Sequence, residues 1–495
     1  MDYILAIDQS TSATKALLFD SGGTLHDSVS AEHEQIYPRP GWVEHDAGEI
    51  WSNVLSVVSR LVKNNPERAA SICCLSITNQ RETFVAFDRH TGVPVGNAIV
   101  WLCRRGEPLC TELAGTNHET LIAETTGLKV DTYFSAPKMR WLMEHEPAVR
   151  RQAEAGTLAL STIDTYLVHR LTGGRAFVTD FTNACRTLLF DIRTLAWSEE
   201  LCELFCVPPE ALPRVVESTA VVGETDCGGI LPHAVPICGI AGDSQASLYA
   251  HGCVNPGQAK VTIGTGSSIL LNTGADLTRA PDGIVSTLAW VLDGTPTYAL
   301  EGIINCTGAT VAWLRDRLGL IDSSAQTREL AEEVEDNGGV YLVPAFVGLS
   351  APYWRSDARA AIVGMSSHSS RAHVVRAALE SIGYQIYDVL GAMGDGGPVL
   401  RTLHADGGAT ANAFLMQFIA DITGVSVKAS TSPNLSAKGA ALLGARGMDL
   451  HDGDAGPGGE GKAYGPLMEQ QRVSALHRGW QSAVRMVLAG AAGDA

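Results

Sequence analysis

Two stretches, far apart in the chain, place small hydroxyl residues in a tight turn. The first is Asp8-Gln9-Ser10-Thr11-Ser12-Ala13-Thr14-Lys15 and the second is Gly264-Thr265-Gly266-Ser267-Ser268. Each follows a short apolar run (Tyr3 to Ile7; Lys260 to Ile263) and leads into another (Ala16 to Phe19; Ile269 to Leu271). A β-turn-β unit of this composition gathers backbone N–H groups and hydroxyls into a concave arc, which is what polyphosphate oxygens require. One such turn is commonly only a turn. Two of them, in separate halves, point to phosphoryl transfer from a nucleotide held between two domains.

Phosphoryl transfer also needs a metal and a carboxylate that orients the attacking hydroxyl and takes its proton. Asp8 ends the first apolar run and faces the first turn, which suits Mg²⁺ held through water. Asp243 follows Pro236-Ile-Cys-Gly-Ile-Ala-Gly242, a buried-strand pattern, where a helix-like segment begins. A carboxylate there suits a general base, or equally the N-cap of that helix. Gly242-Asp243-Ser244-Gln245-Ala246 is one glycine short of a hydrolase nucleophile elbow, with His368, His373 and His404 downstream. A hydrolase leaves the two phosphate turns unexplained.

Arg81 and Glu82, just after another buried strand, can grip vicinal hydroxyls as donor and acceptor, or form an ordinary surface ion pair. Trp101, after Ala98-Ile-Val, offers an apolar wall for the carbon side of a polyol, although core packing is the default for tryptophan. Asp406-Gly-Gly-Ala-Thr-Ala-Asn412 lets backbone approach a flat ligand such as adenosine. Gly456-Pro-Gly-Gly-Glu-Gly-Lys462-Ala463 nearly matches a phosphate loop. It has Ala where a Mg²⁺-binding Ser/Thr belongs, and no strand precedes it, so it is set aside.

The elements that must carry these residues read as mixed α/β. Strands at Tyr3 to Ile7, Ala16 to Phe19 and Leu25 to Ser30 precede a helix with Asp46 at its N-cap and Glu49 completing a capping-box pattern. Ile50, Val54, Val57, Val58 and Leu61 recur at helical spacing, and strands at Ile72 to Thr78 and Thr83 to Phe87 follow. The second half repeats the order, with helices from about Gly308 to Leu318 and from about His373 to Met393. Asn255-Pro256-Gly257 breaks the chain, which places the boundary near Ala246 to Gly257. Domains 1–246 and 247–495 follow. Asp449 to Gly465, rich in Gly and Asp, reads as a surface loop.

At 495 residues, two domains are the natural division, and 45% apolar with 18% charged residues is a soluble globular composition. A formal charge of −18 argues against nucleic acid or an anionic membrane surface as partner. The opening residues read as a first strand rather than a signal peptide, and no stretch has the length of a membrane span. Eleven cysteines form no framework, and Cys202 with Cys206 reads as core rather than a ligand pair. A reducing cytoplasm is the expected compartment.

Longer strings now become recognisable: Glu34-Gln-Ile-Tyr-Pro-Arg-Pro-Gly-Trp-Val-Glu-His-Asp46, Ile77-Thr-Asn-Gln-Arg-Glu-Thr83, Asn97-Ala-Ile-Val-Trp101, Tyr133-Phe-Ser-Ala-Pro-Lys-Met-Arg-Trp141, and Gly364-Met365 through Ala377-Ala-Leu-Glu380. From about Tyr3 to Gly447 the chain resembles the glycerol kinases of the FGGY carbohydrate kinase family, within the actin/hexokinase/Hsp70-like ATPase superfold. That resemblance implies two ribonuclease-H-like domains of mixed sheet flanked by helices, with an actin-like central cleft. It implies ATP-dependent, Mg²⁺-dependent phosphorylation of glycerol to sn-glycerol 3-phosphate, in a homodimer or homotetramer.

Position by position, the resemblance assigns Thr11, Ser12, Ala13 and Lys15 to the nucleotide phosphates and Thr265 to the second phosphate turn. Gly308, Ala312, Gly408 and Asn412 surround the nucleotide. Arg81, Glu82, Tyr133, Trp101, Ser244 and Ser268 face the polyol, with Asp243 as base and Asp8 with Asp243 toward the metal. Several positions depart from the family. Lys15 replaces an Arg, Ser244 and Ala312 each replace a Gln, Ser268 replaces a Phe, and Ser10 replaces a Gly. The two serines beside the base are expected to enlarge and wet the pocket, which raises a larger polyol or ketose (erythritol, threitol, erythrulose or a pentulose) as an alternative acceptor. A non-catalytic polyol and nucleotide sensor is the alternative of another class. Gly228 to His233 lacks the Arg that helps some bacterial members bind fructose 1,6-bisphosphate, so that inhibition is not expected.

Overall fold

The structure is a computed structural model, and it describes residues 2–394, 397–432, 434–450 and 461–491. The opening apolar runs form β1 (Tyr3–Gln9), β2 (Ala13–Asp20) and β3 (Leu25–Glu32), an antiparallel meander. β4 (Ile72–Asn79) lies parallel to β1. β5 (Gly223–Thr225) is an antiparallel edge strand on β6 (Val235–Gly242), and β6 lies parallel to β4. The sheet order is therefore β5-β6-β4-β1-β2-β3.

The second half repeats the plan. β7 (Gln258–Ile263), β8 (Ser267–Gly274), β9 (Val285–Leu292) and β10 (Thr295–Ile304) are antiparallel neighbours. β11 (Thr402–Asp406) and β12 (Ser426–Ser430) add parallel to β7, and β13 (Gly461–Tyr464) closes the edge. The order is β9-β10-β8-β7-β11-β12-β13. A parallel pair appended to an antiparallel meander occurs in both halves, as the expected ribonuclease-H-like domains require.

The helices that matter for the site are α1 (Ala47–Asn64), α2 (Ala136–His145), α3 (Ile163–Leu171), α4 (Asp243–Ala250), α5 (Gly308–Asp316), α6 (Arg371–Gly394), α7 (Ala413–Thr423) and α8 (Leu435–Gly447). Strand alternation sorts the core into layers. Leu5 and Ile7 of β1 point to the face covered by α1 and α3, where Ile50, Val54, Val57 and Leu61 meet them. Ile4 and Ala6 point the other way, onto Ala437, Ala441 and Ala445 of α8. α8 also packs with α4 against Leu270, Ala289, Trp290 and Ala299 of the second sheet. The α4/α8 pair thus lies between the sheets, and α6 and α7 cover the far face of the second one.

α4 runs unbroken across residues 246 and 247, and both sheets pack on it. Other expectations are corrected here. Asp46 caps α1 through Gly48 N and Glu49 N, but the Glu49 carboxylate accepts from Glu34 N rather than reaching back to the cap. Residues 461–464 form a paired edge strand rather than a loop. Lys462 and Ala463 of the near-phosphate-loop string lie in that strand, and its residues 456–460 fall outside the described residues. Cys202 is buried, but Cys206 is exposed, at φ +52°. Among the described residues no helix is long and apolar enough to cross a membrane.

Candidate active site

The C-terminal ends of β1, β4 and β6 bring three sequence-distant segments to one sheet edge, the usual place for ligands of a parallel sheet. Asp8 pairs in register with Thr78, and Gly242 pairs with Asn79. Asp8 and Asp243 therefore flank β4 at nearly the same level, two inter-strand spacings or roughly 10 Å apart along the sheet. The Arg81–Glu82 loop leaves β4 between them. Burial raises the Asp8 carboxyl most, Lys15 opposes it, and the Asp243 charge adds to the rise. Lys15, the cross-strand partner of Asp8, donates to its Oδ2 at 3.1 Å.

Asp243 is the first residue of α4, and Gly242 is the cap. Its Oδ1 accepts from the adjacent Ser244 N (2.6 Å), and its side chain is 40% exposed, which leaves the carboxylate open to a substrate. The strand end before it is fixed, because Gly242 N donates to the Thr182 hydroxyl (2.8 Å). That hydroxyl donates in turn to the buried Asp180. The N-cap alternative does not hold. The hydrolase alternative fails too, because Ser244 Oγ lies 3.4 Å from Ser268 Oγ, while His404 packs on His251 and His373 on His368.

Arg81 and Glu82 are buried rather than a surface pair. Arg81 Nε sits 3.4 Å from Asp243 Oδ1, and its Nη1 donates to Gln245 Oε1 (3.3 Å). Its Nη2 donates to Glu301 Oε1 (2.6 Å). Glu82 adopts φ +62°, a left-handed backbone that costs a non-glycine residue on the order of 1 kcal/mol or more. The strain is held by Ser135 Oγ donating to the Glu82 carbonyl (2.8 Å) and by Arg186 Nε donating to its Oε1 (2.7 Å). Arg186 Nη1 also lies 2.6 Å from Glu301 Oε2, an ion-pair contact outside hydrogen-bond angles.

Trp101 and Tyr133 close one side, their ring centroids 5.2 Å apart, and Trp101 Nε1 donates to Thr11 Oγ1 (3.0 Å). Burial, with the Glu82 charge behind it, raises the Tyr133 phenol. Lys138 of α2 is fully buried and donates to the carbonyls of Trp101, Thr132 and Tyr133 at 3.3, 2.7 and 3.1 Å. Burial brings its ammonium down to about 8. Ser268, at the start of β8, donates to Glu301 Oε1 (2.9 Å). Ser244 and Ser268, beside Asp243, are therefore linked to each other and to Glu301.

The first turn is a compact loop in which Ser10 N and Oγ both donate to the Ala13 carbonyl (2.9 Å each). Thr11 is half-buried, Ser12 is exposed and Ala13 is buried. In the second turn Gly264 N donates to the Gly266 carbonyl, and Thr265 is exposed at its tip. Gly308 N donates to the Gly264 carbonyl (2.9 Å), and a Cβ at Gly308 would stand 2.5 Å from that oxygen. Glycine is needed there for backbone approach rather than for an unusual φ. Ala312 is half-buried one turn along α5. Gly408 opens an exposed 3₁₀ turn after β11. Asn412 caps α7 through Leu415 N and donates to Thr327 Oγ1 (3.1 Å), which commits its amide locally.

The structure thus gathers Asp8, Arg81, Glu82, Trp101, Tyr133, Asp243, Ser244 and Ser268 into one connected cluster. Gly408 and Asn412 stand apart from it, at the β11–α7 junction. Sequence reasoning missed Glu301, Arg186 and Lys138. Their signal was a lone charge in an apolar run (Ala299-Leu-Glu301; Ala184-Cys-Arg186; Ala136-Pro-Lys138), since charged side chains are rarely buried without partners.

Residues 3–250 match the N-terminal domain of the FGGY family of carbohydrate kinases, and residues 259–448 match its C-terminal domain. A glycerol kinase from Desulfitobacterium hafniense is 46% identical over 490 residues, covering 98% of this chain and 99% of that protein. Glycerol kinase 1 of Thermotoga maritima is 44% identical over 494 residues, covering 98% of this chain and 99% of that protein. The crystal structure of Plasmodium falciparum glycerol kinase with ADP superposes with a TM-score of 0.92 at 36% identity, covering 99% of this chain and 98% of that one. By its two matched domains and its full-length relatives, the chain is a member of the FGGY family of carbohydrate kinases.

Proposed function

We propose that the chain transfers the γ-phosphoryl group of ATP to a primary hydroxyl of glycerol, giving sn-glycerol 3-phosphate and ADP. The observation that carries this reading is the open carboxylate of Asp243 beside the buried Arg81–Glu82 pair. Full-length relatives named as glycerol kinases favour glycerol over a larger acceptor. In this reading residues 1–246 carry the acceptor site and the first phosphate turn. Residues 247–495 carry the nucleotide site, with Ser268 and Glu301 reaching across.

Arg81 donates to one acceptor hydroxyl and Glu82 accepts from another, while Trp101 and Tyr133 cover the carbon chain. The third hydroxyl is thereby set toward Asp243, which takes its proton as the oxygen attacks phosphorus. ADP leaves from the opposite side. Thr11, Ser12 and Lys15 from one half, and the 264–268 turn with Gly308 from the other, supply donors to the phosphate oxygens. Asp8 and Asp243, hard oxygen donors on either side of β4, would hold Mg²⁺ through water. That site would supply positive charge against the phosphate oxygens when the ion is bound. Closure of the halves excludes water and guards ATP from wasteful hydrolysis. In this reading the reaction runs in the cytoplasm.

Steady-state ADP release with Mg·ATP, compared across glycerol, erythritol, both threitols, dihydroxyacetone, xylitol and xylulose, tests the reading. Glycerol is expected to have the highest kcat/KM. A tetritol or ketose in first place would redirect the acceptor assignment, and ATP binding without turnover on any of them would favour the sensor.

A further inference from the structure

The acceptor pair is held in part from the other half of the chain. Glu301 stands on β10 of the second sheet with a fully buried side chain, in a strand whose neighbours Leu300, Ile303 and Ile304 are core. Both of its oxygens face arginines of the first half: Oε1 accepts from Arg81 Nη2 at 2.6 Å, and Oε2 lies 2.6 Å from Arg186 Nη1. Arg186 in turn donates through Nε to Glu82. Two buried guanidinium groups are thus balanced by two buried carboxylates, and Asp243 remains at the rim as the further anion. Burial works against charge on Glu301, but Arg186 and Arg81 overcome it and hold its carboxyl down to about 2.

We propose that Glu301 is a positioning residue for the phosphoryl acceptor: it pins Arg81 from the opposite half, keeps that guanidinium from collapsing onto Asp243, and sets Glu82 through Arg186. The proposal rests on the reading that acceptor hydroxyls bind at Arg81 and Glu82. Its physical basis is competition for one cation. Arg81 Nε is already 3.4 Å from Asp243 Oδ1, so a neutral residue at 301 leaves Asp243 as the most accessible anion for the freed Nη2. Arg186 would then balance Glu82 alone. Because Glu301 also accepts from Ser268 Oγ, which neighbours Ser244, the same carboxylate ties the second phosphate turn to the acceptor pocket. Acceptor alignment therefore depends on the two halves being in register.

The test is the KM-against-kcat split of Glu301→Gln, which keeps the shape and removes the charge. Glycerol KM is expected to rise about tenfold to a hundredfold, the cost of a misplacement on the order of 1 Å, while ATP KM stays within about twofold. Stabilisation of the ATP-free enzyme by glycerol in thermal melts is expected to disappear in parallel. A merely structural ion pair would lower Tm but leave the glycerol KM of the folded fraction unchanged, and that result overturns the proposal. If Glu301→Gln does not fold, Arg186→Lys, which keeps charge but loses the fork, decides by the same two readouts. The wild-type enzyme run alongside separates the two levels of failure. No turnover of glycerol by wild type defeats the acceptor reading and the proposal with it. Normal wild-type turnover with an unmoved glycerol KM in the variant defeats the proposal alone.

Discussion

Trp101 donates its indole N–H to the Thr11 hydroxyl across 3.0 Å, so the wall of the proposed acceptor pocket and the proposed phosphate turn are joined by one bond. The turn is anchored from behind as well, because the Thr11 carbonyl accepts from His33 Nε2 (2.9 Å) and Gln35 Nε2 (2.8 Å). Trp101 is anchored in turn by Lys138 at its carbonyl. On the proposed reading, a shift of this turn around phosphate is felt at the acceptor.

Trp101→Phe keeps an apolar wall and deletes that bond. Losing one such hydrogen bond costs about 0.5–1.5 kcal/mol, or a factor of a few to about tenfold. The expected result is that glycerol KM and ATP KM both rise within that range, with Tm nearly unchanged. A rise in glycerol KM alone would show that the tryptophan acts as a wall without the coupling.

Lys138→Met retains the aliphatic stem and withdraws the donor from the carbonyls of three half-buried residues. Each unsatisfied group costs about 1–3 kcal/mol, so the variant should lose several kcal/mol and melt at least several degrees lower. Its glycerol KM should rise too, because Trp101 and Tyr133 lose a shared anchor. Thermal denaturation and acceptor titration check both parts. Wild-type Tm would contradict the geometry.

Gly439 of α8 meets α4 so closely that an added Cβ would lie 1.8 Å from the Ala246 carbonyl oxygen, with no flexible side chain to yield. Gly439→Ala must push apart the helix pair on which both sheets rest. A loss of about 3 kcal/mol, at the upper end of overpacking costs, is expected in urea unfolding. A neutral effect would mean that the two halves re-dock freely.

Asp164 is buried beside Asp180. Burial first, and then the Asp180 charge, pushes its carboxyl up to about 7. With its pKa raised in the fold, the native state holds a proton that the unfolded chain releases near pH 4. This group's contribution to stability is therefore full below that pH and is lost as pH rises toward 7. Asp164→Asn mimics the protonated form and does not titrate. Its stability relative to wild type should climb by about 1.4 kcal/mol per pH unit between about pH 4 and 7, then level off. Parallel unfolding curves across pH 5 to 8 would contradict this.

The hairpins, the first helix and the two halves were legible because local rules suffice for them. Alternation marks strands, Asp46 marks a cap, and the repeated order of elements marks the repeated fold. The 10–13 and 264–268 turns were legible for the same reason. What local reading could not reach is pairing at long range. Nothing near Glu301 announces that its partners are Arg81 and Arg186, and nothing near Ala246 announces the α8 helix that makes a boundary there a shared core. Arg81 and Glu82 read equally as a surface pair until burial and the φ of Glu82 decided otherwise. Residues 461–464 looked like loop because an edge strand takes its definition from β12 rather than from its own composition.

The most direct test of the central claim is single-turnover phosphorylation of glycerol by wild type and Asp243→Asn, with ATP and glycerol binding measured on both. Loss of the proton acceptor should slow the chemical step by about 10²- to 10⁴-fold while both ligands still bind. An Asp243→Asn enzyme that phosphorylates glycerol at the wild-type rate would remove Asp243 from the role given to it, and with it the account of this site.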